Sequence, residues 1–365
     1  MVGGDYMTKF AFSIFAIIVV CTHCKFVHGR RLTIQTNKDT FMHEGTVKTI
    51  EMKPNFQSSG LSANDKNPVI YQSWHKNGEC PKGTIPITRT QQFNCPPPSH
   101  PSITQANHTF ENQVPPLFEY AYATLTRENF VGAQAYFNVW HPKILNDECS
   151  KAQIWIIGGF DRDLNAIETG WMVSEDDDRT RLFIYWTADG YQNTGCYNLH
   201  CPGFVQIDNV LALGGSIEPV SIYNGEQREI QFIVKKDQVT QNWWLKVGDR
   251  IIGYWPHPIM TGLHYCGTEI KWGGAVLNKN VGNHHTATQM GSGHFPEEGF
   301  GKASFIRNLG FYRESYNLIT NFKGYYIGPV ATRPSCYDVI LEDHGGSYGF
   351  HLYFGGSGFS MDCLG

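Results

Sequence analysis

The chain reads as all-β, an antiparallel sandwich of the jelly-roll kind, and three observations say so. Charged residues make up 17% of its 365 positions, aromatics reach 14%, and glycine occurs 38 times. Short apolar runs broken by Gly, Asn and Asp recur throughout, while helical periodicity of any length is hard to find beyond the amino terminus. Many such runs at close spacing are the pattern of sandwiches and jelly rolls. In order, the expected strands are 133–139, 153–158, 166–171, 181–186, 230–235, 243–247, 251–255 and 270–276. Runs 230–235, 243–247 and 251–255 read as consecutive antiparallel strands, joined by the polar stretch 236–242 and by a tight Gly248-Asp249 turn.

The amino terminus is an address label. Lys9 precedes an apolar run from Phe10 to Cys21, and a polar stretch then ends in Val27-His28-Gly29. The run is shorter than the roughly 20 residues that span a bilayer, so 1–29 reads as a removable signal peptide and the mature chain as secreted, with no stable membrane insertion. Cys21 and Cys24 leave with it, and eight of the ten cysteines remain. An even count in a secreted chain points to disulfides. The pairs expected are Cys196 with Cys201, Cys336 with Cys363, and Cys80 with Cys95, which leaves the pairing of Cys149 and Cys266 open. No Cys-x2-Cys pair with a matching second half argues for zinc.

Without the signal, 27 Lys plus Arg stand against 32 Asp plus Glu, a net charge of −5. There is no basic field for nucleic acid. Thirteen histidines persist, enough to reverse that sign in moderate acid.

A boundary runs from Cys95 to about Asn129. It opens with Pro96-Pro97-Pro98, repeats Pro115-Pro116, and holds the one Asn-x-Ser/Thr sequon, Asn107-His108-Thr109, a glycan acceptor in a secreted loop. The expected organisation is therefore a signal over 1–29, a small polar segment and Pro-rich linker over 30–129, and a sandwich over 130–365 large enough for one core.

Two short strands carry the chemistry. In AIETGW, 166–171, a carboxylate at Glu168 stands among small residues; in IKWGGAV, 270–276, a second strand of similar character has alanine at 275. With a period of two, Ala166, Glu168 and Gly170 share one face, and Lys271, Gly273 and Ala275 share one face of the other. Small neighbours leave room for a substrate backbone, or else they serve the bend of a curved sheet.

These stretches resemble the plant neprosin family. Residues 74–87, WHKNGECPKGTIPI, are similar to its activation peptide; IETGW at 167–171, YWTADGY at 185–191, GCYN at 195–198, CPGFVQ at 201–206 and QMGSGHF at 289–295 are similar, in the same order, to its catalytic domain. The resemblance implies a secreted glutamic peptidase made as a zymogen, with an antiparallel sandwich as its catalytic domain, no cofactor, and cleavage after proline at acid pH. It implies two catalytic glutamates, the first at Glu168 and the second at the place of Ala275.

Hydrolysing an amide without a metal or covalent nucleophile takes a base for water and an acid for the leaving nitrogen. Two adjacent carboxylates supply both, because they share a proton. A lone carboxylate holds one of those states at a time. The chain is thus expected to be an impaired endopeptidase acting on proline-containing peptides, or else a non-catalytic extracellular protein that binds proline-rich peptides or cell-wall polysaccharide in the apoplast or wall. Glu269 shares the parity of Ala275 but lies six residues away along the strand, roughly 20 Å. Glu297 and Glu298 fall in an expected loop. His284, His285 and His294 lack a His-Glu-x-x-His frame and read as loop histidines, not as zinc ligands. Ser292 lacks the wider Gly-x-Ser-x-Gly elbow. Of Trp171, Tyr185, Trp186, Tyr191, Trp243, Trp244 and Trp272, most are expected in the core.

Overall fold

The structure is a computed structural model that describes residues 70–78, 80–81, 83–88, 95–97, 117–145, 147–174, 179–279, 284–346 and 348–364. The signal segment, the sequon and most of the Pro-rich linker lie outside the described residues. Fifteen strands join in one curled sheet: β1 (Leu117–Asn138), β2 (Cys149–Gly158), β3 (Asn165–Ser174), β4 (Arg181–Thr187), β5 (Cys196–Tyr197), β6 (Val205–Gln206), β7 (Glu229–Lys236), β8 (Trp243–Val247), β9 (Arg250–Trp255), β10 (Gly267–Asn278), β11 (Ser304–Arg313), β12 (Leu318–Ile319), β13 (Tyr326–Ala331), β14 (Asp338–Asp343) and β15 (Phe350–Gly355).

Strand β1 organises the rest. It starts at Leu117 where the sequence suggested linker as far as residue 129, and it carries two sets of neighbours. Its first half, 117–126, pairs with β10 on one side and β13 on the other, whereas 130–138 pairs with β7 and β11. Between the halves the register shifts, and Arg127 takes a φ of 67°. A bulge of this kind bends a strand and lets it pass from one layer to the next. One layer is thus β5-β4-β3-β2-β10-β1-β13, and the other is built on β7, β8, β9, β11 and β15 around the far half of β1.

The apolar faces of the two halves meet in the main core. From the first come Ala121, Ala123, Leu125, Ile154, Ile156, Trp171, Ile184 and Trp272; from the second come Phe137, Phe232, Val234, Trp243, Leu245 and Phe311. The expected hairpin chain is present, as β7 pairs with β8 and β8 with β9, all antiparallel. Trp171, Trp186, Trp243 and Trp272 are core residues as expected.

The disulfides are Cys95–Cys149, Cys196–Cys201 and Cys336–Cys363. The second and third match the sequence reading, but Cys95 pairs with Cys149 and not with Cys80. Cys80 and Cys266 carry free thiols. The expected Cys80–Cys95 bridge fails because the two ends of this segment are held at different places. Residues near Cys80 dock on the loop before β7: Gln72 Nε2 donates to the Ala212 carbonyl at 2.9 Å, and His75 Nε2 lies 2.9 Å from the Val210 carbonyl.

Gly170 and Gly273 in the motif strands admit a neighbouring backbone at close range and do not leave empty space. A Cβ built on Gly170 would lie 1.9 Å from the Ala152 carbonyl oxygen and 2.7 Å from Gln153 Cα, and one on Gly273 would lie 2.2 Å from the Ala121 oxygen. Backbone cannot yield to such contacts. Gly170→Ala should therefore destabilise the fold by about 2 kcal/mol or more, whereas Gly328→Ala in β13, where a Cβ meets nothing within 4 Å, should stay within about 0.5 kcal/mol. Urea unfolding of the two variants beside wild type makes the comparison.

Candidate active site

Strand β2 lies between the two motif strands, so cross-strand pairs carry one face across four strands. Tyr185, Glu168, Trp155 and Lys271 form one row. Phe183, Gly170, Gln153 and Gly273 form the next, and Arg181, Met172, Lys151 and Ala275 the third. Glu168 and Ala275 therefore share a face, which the register through β2 sets. It is the face turned away from the main core, covered by a second cluster of Phe118, Tyr120, Tyr122, Trp155, Phe183, Tyr185 and Tyr197.

Glu168 is completely buried. Its carboxylate accepts two hydrogen bonds of 2.8 Å, one from Gln153 Nε2 and one from the Tyr191 hydroxyl. Tyr191 reaches it from the turn after β4, where its φ of 66° is fixed by a bond from its amide to Thr187 Oγ1. Asp189 closes the same turn by accepting from the amides of Gln192, Asn193 and Thr194. The motif YWTADGY thus brings a phenol to the carboxylate, a role the sequence alone did not reveal.

The position at which the resemblance implies a second glutamate holds the methyl group of Ala275, with Lys151 beside it. Ala275 is 1% exposed and is the direct cross-strand partner of Lys151 and of Tyr120. The Lys151 ammonium donates to the Tyr197 hydroxyl at 2.5 Å and lies over the Phe118 and Tyr197 rings, 4.7 and 5.0 Å from their centroids. Tyr197 in turn donates to the Pro96 carbonyl at 3.1 Å. Through Cys95–Cys149 and this bond, the Pro-rich end of the amino-terminal segment rests against the same face.

Other acidic groups are committed elsewhere. Glu269 faces Lys271 at 3.3 Å and accepts from Thr124. Glu298 accepts from Tyr223 and meets His294 at 2.7 Å, while Glu297 is exposed beside it. His285 is spent between the Thr286 carbonyl and Glu119, each 2.8 Å away, and His284 faces the His285 carbonyl; these two and His294 do not converge. Among the described residues, the hydrogen-bond partners of Glu168 are an amide and a phenol.

Burial raises the Glu168 pKa above its ordinary value, against the pull of the Lys151 ammonium, the bonds from Tyr191 and Gln153, and the charge of Lys271. Burial also pulls Lys151 down to about 8, with Glu168 opposing. Tyr191 and Tyr197 are pushed well up by burial and by the Glu168 charge. Both members of the buried pair are thus disfavoured as ions by desolvation, and each partly restores the charge of the other.

The roles of Gln153, Lys151, Tyr191 and Tyr197 were missed because they act from β2, from the turn after β4 and from the short strand β5. A lysine in β2, two residues before Gln153 and on the same face, was the visible signal.

Lys151 gives a pH signature. Its unfolded pKa is near 10.5 and its folded pKa about 8, so between these values the unfolded chain binds a proton that the folded chain has released. Its contribution to stability therefore rises with pH from 8 to 10.5, by about 3 kcal/mol at most. Relative to Lys151→Met, wild type should gain stability over that window; equal slopes in chemical unfolding would exclude a buried, titrating Lys151.

Residues 146–357, well over half of the chain, match the sequence profile of the family named Neprosin. Solved structures of similar course include a crystal structure of scytalidoglutamic peptidase with a peptide-based transition-state analogue, at 10% identity and a TM-score of 0.34, covering 66% of this chain and 99% of that one. A second is SCP-B, a member of the eqolisin family of peptidases in complex with the tripeptide Ala-Ile-His, at 10% identity and a TM-score of 0.35, covering 66% and 98%. A third is CG-16, a homodimeric agglutinin from chicken liver, at 9% identity and a TM-score of 0.24, covering 43% and 91%. On the profile match, with Glu168 in its motif strand, this chain belongs to the neprosin family.

Proposed function

We propose that this chain is a secreted protein of glutamic-peptidase ancestry whose own turnover is impaired, and which retains a face that holds proline-containing peptides. The observation that carries the reading is the surrounding of Glu168: Gln153 and Tyr191 on its oxygens, and ammonium groups as its nearest charges. A carboxamide orients water but neither takes nor gives a proton. Tyr191, pushed well above its ordinary value, is too weak an acid for the leaving nitrogen. Lys151 is a better acid at about 8, yet in acid solution it gives up its proton far less readily than a carboxylic acid does. Glu168 has a base's position and no matched acid.

Two features support peptide binding. Gln153 Oε1 is buried without a hydrogen-bond partner, an acceptor that a peptide N–H would satisfy. Pro96, in the chain's own proline run, already has its carbonyl held by Tyr197 on this face. Three disulfides support an oxidising compartment. Among the described residues no helix is long and apolar enough to cross a membrane.

The test is cleavage of a proline-containing fluorogenic peptide at acid pH, before and after limited proteolysis of the amino-terminal segment. Wild type should turn over no faster than Glu168→Gln. Ala275→Glu alone should gain little, because the new carboxylate is drawn to Lys151. Ala275→Glu with Lys151→Met should exceed wild type by at least tenfold, a small part of the 10² to 10⁴ that an acid or base contributes. If wild type already cleaves at a rate that Glu168→Gln abolishes, the impairment reading is wrong.

A further inference from the structure

Away from the Glu168 face, the β14–β15 hairpin gathers three metal-binding groups. Glu342 and His351 are direct cross-strand partners, and His344 follows Glu342 just past the end of β14. One carboxylate oxygen, Glu342 Oε2, lies 2.7 Å from His344 Nε2 and 3.5 Å from His351 Nε2. The three donor atoms all fall within 4.8 Å of one another. Bonds of about 2.0–2.2 Å in a tetrahedron place donors about 3.3–3.5 Å apart. A small rotation of His344, whose side chain is 65% exposed, closes the difference.

His351 supplies an independent sign. Its side chain is fully buried, its Nδ1 lies 2.9 Å from the Gly349 carbonyl, and its Nε2 has no hydrogen-bond partner. With Nδ1–H donating to that carbonyl, the lone pair sits on Nε2 and points at Glu342. This is the tautomer and the outer bond that metal-ligating imidazoles use. Tyr348 and Tyr353, each with its ring centroid 5.5 Å away, pack the ring edge-on. Leaving a buried polar nitrogen unpaired costs about 1–3 kcal/mol, and a metal bond would remove that cost.

We propose that Glu342, His344 and His351 bind one divalent transition-metal ion of the zinc class, with a fourth position open to water on the exposed side of His344. Two imidazoles and one carboxylate suit zinc and its neighbours better than magnesium or calcium, which favour all-oxygen shells. The buried grouping of His285, Cys336 and Cys363 does not compete, since both sulfurs are in a disulfide and both His285 nitrogens are engaged. A bound ion would tie the end of β14 to β15, which pairs with β11 of the main sheet. It would thereby brace the carboxyl-terminal hairpin.

Titration of the full secreted protein, free of any affinity tag, with zinc chloride tests this by calorimetry and by thermal melting. Wild type should take up one ion per chain with micromolar or tighter affinity and melt at a higher temperature. His344→Ala, which alters an exposed side chain and leaves the fold intact, and Glu342→Gln should each weaken uptake at least tenfold and abolish the shift in melting. Variants that bind as tightly as wild type, or a wild type that takes up no zinc, would overturn the site. Magnesium binding of equal strength would overturn the zinc-class assignment.

Discussion

Everything the site can do follows from β2 lying between β3 and β10. Because cross-strand partners share a face, that single placement puts Lys151 and Gln153 between Glu168 and Ala275. Gln153 then occupies one carboxylate oxygen of Glu168, and Lys151 stands beside the methyl group of Ala275. The chemistry is decided by the strand in the middle as much as by the two that carry the motifs. A shift of one residue in that register would turn Lys151 into the apolar core, where an ammonium has no partner.

The long strand β1 makes this arrangement possible. Its first half gives the Glu168 layer Tyr120 and Tyr122 on the outer face and Ala121, Ala123 and Leu125 on the inner one, so aromatic bulk covers the site and small residues admit the core. At Gly170 and Gly273 each glycine lets a neighbouring strand's backbone approach within what would be a Cβ's own volume. Aromatic cover buries a carboxylate on a face that lies outside the main core.

Much of this was legible in the sequence. Strand 243–247 and its partner near 251–255 show clear apolar runs with a Gly-Asp turn between, and alternation alone puts Ala166, Glu168 and Gly170 on one face of their strand and Lys271, Gly273 and Ala275 on one face of theirs. The start of β1 at Leu117 was hidden because buried Glu119 breaks its apolar positions and because Pro115-Pro116 precede it. The Cys95–Cys149 bridge depends on where the amino-terminal segment docks, a tertiary fact with no local signature. Lys151 was visible only as a charge two residues before Gln153; its meaning needed the neighbour that sequence order conceals.

That neighbour makes the electrostatics around Glu168 a matter of charge neutralisation. Two carboxylates held together cannot both ionise without repulsion, so the site keeps one proton mobile, which is what acid–base hydrolysis exploits. A carboxylate facing an ammonium has the opposite preference, because charging either partner favours charging the other. Here desolvation works against both charges, raising Glu168 and lowering Lys151 to about 8, while their attraction works for them. Below the raised Glu168 value the carboxyl becomes neutral and leaves Lys151 a buried cation whose partners include the Tyr197 hydroxyl and the Phe118, Tyr197 and Phe183 rings. Acid therefore removes the counter-charge of Lys151, yet because burial holds the Glu168 carboxyl above its ordinary value, the folded chain takes up that proton more readily than the unfolded one and the uptake favours the folded state. With a methyl group at Ala275 beside Lys151, the charges around Glu168 are of opposite sign to its own, and the charge balance of this buried face depends on pH.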